Sequence, residues 1–194
     1  MTIAILFGVF VFLLLIGMPI AFAIGIASAL AAINIFVIDN GTIVQRMLFG
    51  INSFPLLAVI FFVFTGVIMA RGGVAMRLVR LSEVVVGRLP GGLAQINVLS
   101  SMLFGGVSGS AVADVSSIGA TLIPAMEKAG YTKRYATAVT LTSATLGPII
   151  PPSIPMILYG YVVGSVSVAG LFLAGLIPGI LIGVGLLVFC YVHG

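Results

Sequence analysis

Residues Leu93 to Met126, LAQINVLSSMLFGGVSGSAVADVSSIGATLIPAM, decide how this chain is organised. Their one charged residue is Asp114, and basic residues flank them at Arg88 and at Lys128, Lys133 and Arg134. Lysine and arginine concentrate on the cytoplasmic side of a membrane, so both ends of the stretch belong on one side and the chain between them must enter and return. The first part, Leu93 to Phe104, is too short to traverse a hydrocarbon core of about 30 Å at about 1.5 Å per helical residue. Gly105-Gly-Val-Ser-Gly109 is read as the turn, since glycine relaxes the backbone. Ala111 to Met126 then descends and ends at Gly130, a C′ glycine, with Lys128 complementing the helix dipole. The expected element is a re-entrant helical hairpin, which is tolerated only when buried in protein or lining a cavity.

Working outward, the composition fits that reading. The 194 residues are 61% hydrophobic and 6% charged, with a mean hydropathy of +1.38. Ile3 to Ile38 carries no charge and is too long for one crossing. Gly17-Met-Pro19 divides it, because proline removes a helix hydrogen bond. A small-residue stripe, Gly17, Ala21, Gly25 and Ala29, marks close packing of the second span. Asp39 to Ser53 is polar enough to lie outside the hydrocarbon, and Phe54 to Ala70 makes a third span. Val74 to Arg88, with Arg77, Arg80 and Arg88, is an amphipathic surface helix that sets topology. Ala136 to Val163 is a crossing broken by Gly147-Pro-Ile-Ile-Pro-Pro-Ser153, and Val168 to Tyr191 is the last span. Alternation of polar and apolar residues is absent, which argues against a membrane barrel. The basic residues cluster, so the net charge of +4 speaks to topology and not to nucleic acid. One cysteine, Cys190, and one histidine, His193, exclude an internal disulfide, a thiolate metal cluster and the usual acid–base chemistry.

The fold class that follows is an all-α integral membrane protein. It is a multi-span bundle with one re-entrant hairpin and one proline-broken helix. Its parts are scaffold spans (1–71), a cytoplasmic amphipathic connecting helix (72–90), the hairpin (91–130), the discontinuous helix (131–164) and a final span (165–194).

An ionisable group in hydrocarbon is costly and marks function by default, which singles out Asp114. Ser110, Asp114, Ser117 and Thr121 share one helical face, and Ser108 sits in the turn. Beyond them Thr137, Thr140, Thr142, Ser143 and Thr145 run up to the proline break. Pro148, Pro151, Pro152 and Pro155 would leave the carbonyls of Ala144, Gly147, Pro148 and Pro151 without their helical partners. Free carbonyls and hydroxyls are hard oxygen ligands for a small hard cation. The ion and substrate candidates are therefore Ser108, Gly109, Ser110, Asp114, Thr142, Thr145, Gly147, Pro148, Pro151 and Ser153. Ser108, Ser110, Thr145 and Gly147, largely through backbone carbonyls, are the cation candidates. Against this stands packing: membrane serines and threonines often bond back to their own helix. Asp114 is as well read as a cap on the hairpin-tip amides as a ligand.

GGVSGSAVADVSSIG (105–119), the IPAMEKAGY turn, GPIIPPS (147–153) and the opening GMPIAFA (17–23) together resemble the large membrane subunit of TRAP (tripartite ATP-independent periplasmic) transporters. The resemblance covers essentially the whole chain. It implies a secondary transporter of the bacterial inner membrane, not an enzyme, with a periplasmic N-terminus and an elevator motion of an inverted-repeat architecture. Sodium would be the coupling ion, with no organic cofactor. Organic anions such as dicarboxylates, sialic acids or other sugar acids would be the substrates. A small membrane subunit and a periplasmic substrate-binding protein would be the partners. Ser108, Gly109 and Ser110 correspond to the first hairpin tip and Gly147 to Ser153 to the broken helix beside a sodium site. The family carries two repeats and this chain one, so the expectation is an N-terminal portion that does not transport alone. The competing readings are a related symporter working without a binding protein and a non-transporting assembly subunit.

Overall fold

The computed structural model describes residues 2–36, 40–52 and 54–193, and every regular element among them is helical. The order is α1 (Thr2–Leu15), α2 (Ile20–Phe36), α3 (Asn40–Ile51), α4 (Phe54–Arg71), α5 (Val74–Val86), α6 (Gly92–Ser108), α7 (Ala111–Asp114), a π-helical turn (Val115–Gly119), α8 (Ala120–Lys128), α9 (Lys133–Ala144), α10 (Ile154–Val163) and α11 (Val168–His193). The chain divides at residue 53 into two compact units. Large apolar side chains stand more than half exposed on both units, among them Phe7, Phe12 and Phe22 in the first and Phe61, Phe64, Leu173 and Leu181 in the second. A surface of this kind suits hydrocarbon better than water. Among the described residues α11 alone is long and apolar enough to cross a bilayer by itself, and α4 with α5 forms a pair bent by 70°.

In the first unit α1 and α2 pack together across a turn in which Gly17 takes φ +86°, a left-handed conformation that glycine adopts without a Cβ penalty. The small-residue stripe expected from the sequence is corrected by two residues, which on a helix is nearly the opposite face. The buried face of α2 is Ala23, Ala27 and Ala31, whereas Ala21 is exposed and Gly25 and Ala29 are half-buried. Four-residue alanine spacing serves close approach as well as glycine does. Asp39 and Ser53 lie outside the described residues; between them Asn40–Ile51 is helical.

The second unit is built around α6. On α5 the buried residues Ala75, Val79, Ser82 and Val86 recur at helical spacing while Arg77 and Arg80 are exposed, as is Arg88 just beyond its end, so this helix is amphipathic as its sequence predicts. Its buried face joins Ile96 and Phe104 of α6, Ile118 of the π turn and Leu122 of α8 in one apolar cluster. A second cluster places Ala94 and Val98 of α6 with Met126 of α8, Ala136 and Val139 of α9, and Cys190 of α11. Phe104 shares the first cluster with Ile118, Val98 shares the second with Met126, and Asn97 Nδ2 lies 3.6 Å from Met126 Sδ, so the arms on either side of Gly109 run antiparallel as a helical hairpin. The hairpin ends where the sequence places its stop. Gly130, at φ +98°, donates to Glu127 O (3.1 Å) and Tyr131 N to Met126 O (3.1 Å), the paired bonds that close a helix through a left-handed glycine.

One expectation about this hairpin is corrected. Gly105-Gly-Val-Ser108 is not a turn but the last turn of α6, which runs 17 residues to Ser108. Only Gly109, at φ +60°, and the extended Ser110 interrupt the helix. Glycine in a helix interior costs about 1 kcal/mol relative to alanine. Close contact with a neighbouring backbone offsets that cost here.

α11 closes the unit with Gly175, Gly179 and Gly183, all buried at four-residue spacing. A Cβ at Gly175 would stand 2.7 Å from Ile149 O, and one at Gly179 would stand 2.7 Å from Ile150 Cγ1. At Gly183 it would meet the side chain of Met102. The glycine face thus seats the segment between α9 and α10 and the first arm of the hairpin.

Candidate functional site

Two interruptions in helical structure meet in the second unit. The first is the hairpin tip. Gly109 caps α6, its N–H donating to Gly105 O at 2.9 Å. The buried Ser108 hydroxyl accepts from Ser110 N (3.4 Å) and lies 3.5 Å from Ser110 O. The Ser110 hydroxyl accepts from Ala113 N (3.4 Å) and so caps α7. The second interruption is the stretch 145–153 between α9 and α10, where proline forbids the regular ladder.

The two elements touch through their backbones. A Cβ at Gly105 would lie 2.7 Å from Gly147 Cα, and one at Gly109 would lie 2.8 Å from Pro152 O and 3.2 Å from Ile154 N. At Gly106 it would lie 3.5 Å from Pro151 O, and at Gly147 3.4 Å from the carbonyl carbon of Ser110. Backbone thus lies against backbone at Gly105–Gly147 and Gly109–Pro152, with the Ile150 and Ile154 side chains beside the contact.

Of the four carbonyls expected to be free, two are. Gly147 O and Pro151 O receive no hydrogen bond among the described residues. Ala144 O accepts from Gly147 N (3.1 Å), because the chain winds into i→i−3 turns through Thr145, Leu146 and Gly147. Pro148 O accepts from the Ser153 hydroxyl at 2.5 Å.

The structure therefore brings together Ser108, Gly109, Ser110, Gly147 and Pro151, while the carbonyl of Pro148 is taken by Ser153. It treats the other candidates differently. Thr142 and Thr145 are exposed, and their hydroxyls donate to Ala138 O (2.8 Å) and Thr142 O (2.7 Å) of their own helix. That back-bonding is the packing role open to any helical threonine. Ser153 is buried and caps α10, accepting from Met156 N at 3.3 Å. Asp114 is buried but does not cap the tip, since neither carboxylate oxygen has a hydrogen-bond partner.

A polar seam pairs Thr140 and Ser143 of α9 with Asn97 and Ser101 of α6, two residues that the sequence reading passed over. Asn97 Nδ2 donates to Thr140 Oγ1 at 2.7 Å, and Thr140 Oγ1 donates to Ala136 O at 2.8 Å. One turn further, Ser143 Oγ lies 3.1 Å from Ser101 Oγ and 3.1 Å from Thr140 O. Gln95 Nε2 reaches across to Leu187 O of α11 at 3.1 Å. The signal was present: positions 97, 101 and 108 recur near 3.6 residues, one face of a helix.

Among the described residues no three His, Cys, Asp or Glu side chains gather as a metal cluster. The donors at the tip are hydroxyl and carbonyl oxygens, which suit hard cations.

The family model for the tripartite ATP-independent periplasmic transporter, DctM component, matches residues 7–194. The chain is 46% identical over 187 residues to the uncharacterized protein YgiK of Salmonella typhimurium, covering 95% of this chain and 43% of that protein. It is 40% identical to the sialic acid TRAP transporter large permease protein SiaM of Vibrio cholerae, covering 92% of this chain and 42% of that protein. It is 35% identical to the C4-dicarboxylate TRAP transporter large permease protein DctM of Rhodobacter capsulatus, covering 97% and 46%. The chain thus spans less than half the length of these relatives.

Proposed function

This chain belongs to the DctM component family of tripartite ATP-independent periplasmic transporters, and from that premise we propose that it contributes the first of two repeats to a permease importing an organic anion with sodium as the coupling ion. Membership makes it a transporter component and not an enzyme. The permease works in the bacterial inner membrane with a small membrane subunit and a periplasmic binding protein that hands over the substrate. Relatives named for sialic acid, C4-dicarboxylate and 2,3-diketo-L-gulonate support an organic acid as substrate.

One observation carries the ion-site reading: the backbone contact between the hairpin tip and the proline break. Exposed carbonyls and broken helices are how membrane transporters hold a small cation near the bilayer midplane. Ser108, Ser110 and the free carbonyls of Gly147 and Pro151 supply the oxygens, and Thr145 adds its carbonyl at the edge of the break. Sodium binding here would tie the two elements together.

Uptake by the assembled transporter containing this chain tests the reading. Replacing sodium with choline should stop accumulation. S108A and S110A should raise the sodium concentration for half-maximal uptake about tenfold or more, each losing one charge-assisted contact. Uptake indifferent to sodium would overturn the proposal.

The proposed topology has the hairpin re-entrant, entering and leaving on the cytoplasmic side, with the N-terminus periplasmic; the basic residues on both flanks support it. In a C190S background, P90C and G130C should both react with an impermeant thiol reagent from the cytoplasmic compartment alone. Labelling from opposite compartments would remove the re-entrant placement.

A further inference from the structure

We infer a second cation position, separate from the tip, where Asp114 of the second arm faces Ser101 of α6, with Asn97 one helical turn further along the same face of α6. The inference rests on the reading of the chain as an ion-coupled permease and adds an ion that the tip does not hold. Three observations carry it.

The first is an unmatched set of oxygens. Both Asp114 carboxylate oxygens, Asn97 Oδ1 and Ser100 Oγ are buried with no hydrogen-bond partner. Asn97, Ser100 and Asp114 are each 1% exposed or less. A buried polar group without a partner costs roughly 1–3 kcal/mol, and a charged one more. The carboxylate makes the largest of these costs, and a cation held on it would offset that cost.

The second is that the hydrogen-bond network orients the acceptors. Thr140 spends its hydroxyl proton on Ala136 O, so Asn97 must present its amide nitrogen to Thr140. The second proton of that nitrogen faces Met126 Sδ at 3.6 Å. Asn97 Oδ1 is thereby left as an acceptor. Ser101 Oγ, positioned by Ser143, faces the Asp114 carboxylate without closing a hydrogen bond to it. Asn97 and Ser101 are one helical turn apart, so their oxygens lie on the same side of α6.

The third is the backbone around the acid. Asp114 is followed immediately by the π-helical turn Val115–Gly119. Gly119 in that turn lies against Thr140, where a Cβ would stand 2.9 Å from Thr140 Cγ2. Single π turns inside α-helices gather at functional sites. This one holds the acid-bearing arm close against the helix that orients Asn97.

A single carboxylate with neutral amide and hydroxyl oxygens matches a monovalent hard cation. Transition metals would call for nitrogen or sulfur donors, and magnesium for waters and further carboxylates. Sodium is the probe. The position is enclosed by the first and second arms and α9, so its ion is coupled to the packing of the hairpin. The tip ion, by contrast, is coupled to contact with the proline break.

The test uses the assembled transporter in lipid nanodiscs and equilibrium binding of radioactive sodium. D114N should bind one sodium fewer per chain and lose its share of the sodium-dependent rise in melting temperature, since a ligand that binds only the folded state stabilises it. S101A, a smaller change, should keep the ion and weaken it about tenfold, as loss of one charge-assisted contact implies. S108A should weaken a different ion about tenfold and leave the Asp114 ion bound at its parent affinity. If D114N does not fold, S101A and N97A carry the measurement. Unchanged sodium stoichiometry and affinity in D114N, or in both S101A and N97A, would overturn the inference. So would a protonated-carboxyl infrared band at saturating sodium that vanishes in D114N. Uptake without sodium dependence, together with a sodium ion lost in D114N, would sink the coupling role and leave this site standing.

Discussion

Gly109→Ala is expected to abolish uptake by the assembled transporter, and Gly105→Ala to reduce it nearly as far. Two costs combine at Gly109. Its φ of +60° is left-handed, which costs an L-residue about 1–2 kcal/mol. The added Cβ would also stand 2.8 Å from Pro152 O and 3.2 Å from Ile154 N, both backbone atoms that cannot rotate away. Overpacking of this kind costs roughly 1–3 kcal/mol. Gly105 has a helical backbone, so only the second cost applies there, against Gly147 Cα at 2.7 Å. Native stabilities of about 5–15 kcal/mol leave room for both variants to fold with the tip displaced from the break. A misfit of about 3 kcal/mol falling on the ion-occupied arrangement is roughly a hundredfold loss of occupancy. Sodium-driven uptake in vesicles with matched membrane levels is the measurement. Normal uptake by Gly109→Ala would show that the tip and the break need not touch.

Gly175→Val should produce the largest loss of stability outside the tip. Its side chain would meet the Met156 methyl and the backbone oxygen of Ile149, the latter at 2.7 Å from the Cβ alone. Methionine can swing aside, whereas a carbonyl in the proline-bound turn cannot. A cost of about 3 kcal/mol is expected. A large drop in thermal midpoint relative to the parent, read on purified protein in nanodiscs, would register it. Gly185→Ala on the same helix is the control: a Cβ there meets nothing within 4 Å, so its effect should be nil or slightly stabilising. Equal midpoints for Gly175→Val and Gly185→Ala would mean that the glycine face of α11 is not a packing surface.

Several of these features were legible in the residues themselves. The stop at Gly130 could be read because a left-handed glycine after a lysine-ended helix is a local event. The amphipathic α5 was equally local, its arginines falling on one face by spacing alone. Gly105 and Gly106 misled because glycine permits a turn and also permits contact, and only the partner decides which. That partner, Gly147, lies about forty residues further along the chain. Thr142 and Thr145 looked like ligands for a similar reason: a hydroxyl's preference for its own helix carbonyl leaves no mark in composition. Asn97 and Ser101 went unnoticed beside the charged Asp114, although their four-residue step was open to view. Their importance depends on Thr140 and Ser143, a distant pairing that spacing along one helix does not reveal.

The bond from Gln95 to Leu187 bears on how the protein is made. α6 carries Gln95, Asn97, Ser100 and Ser101 in its buried surface, so hydrocarbon would be a poor solvent for it on its own. Synthesis proceeds from the N-terminus at about 5–20 residues per second, so α6 emerges well before the carbonyl that Gln95 requires. During that interval the hairpin must be sheltered by the insertion machinery or wait in the aqueous interface. Final seating of α6 therefore waits on translation of α11, about ninety residues further along the chain.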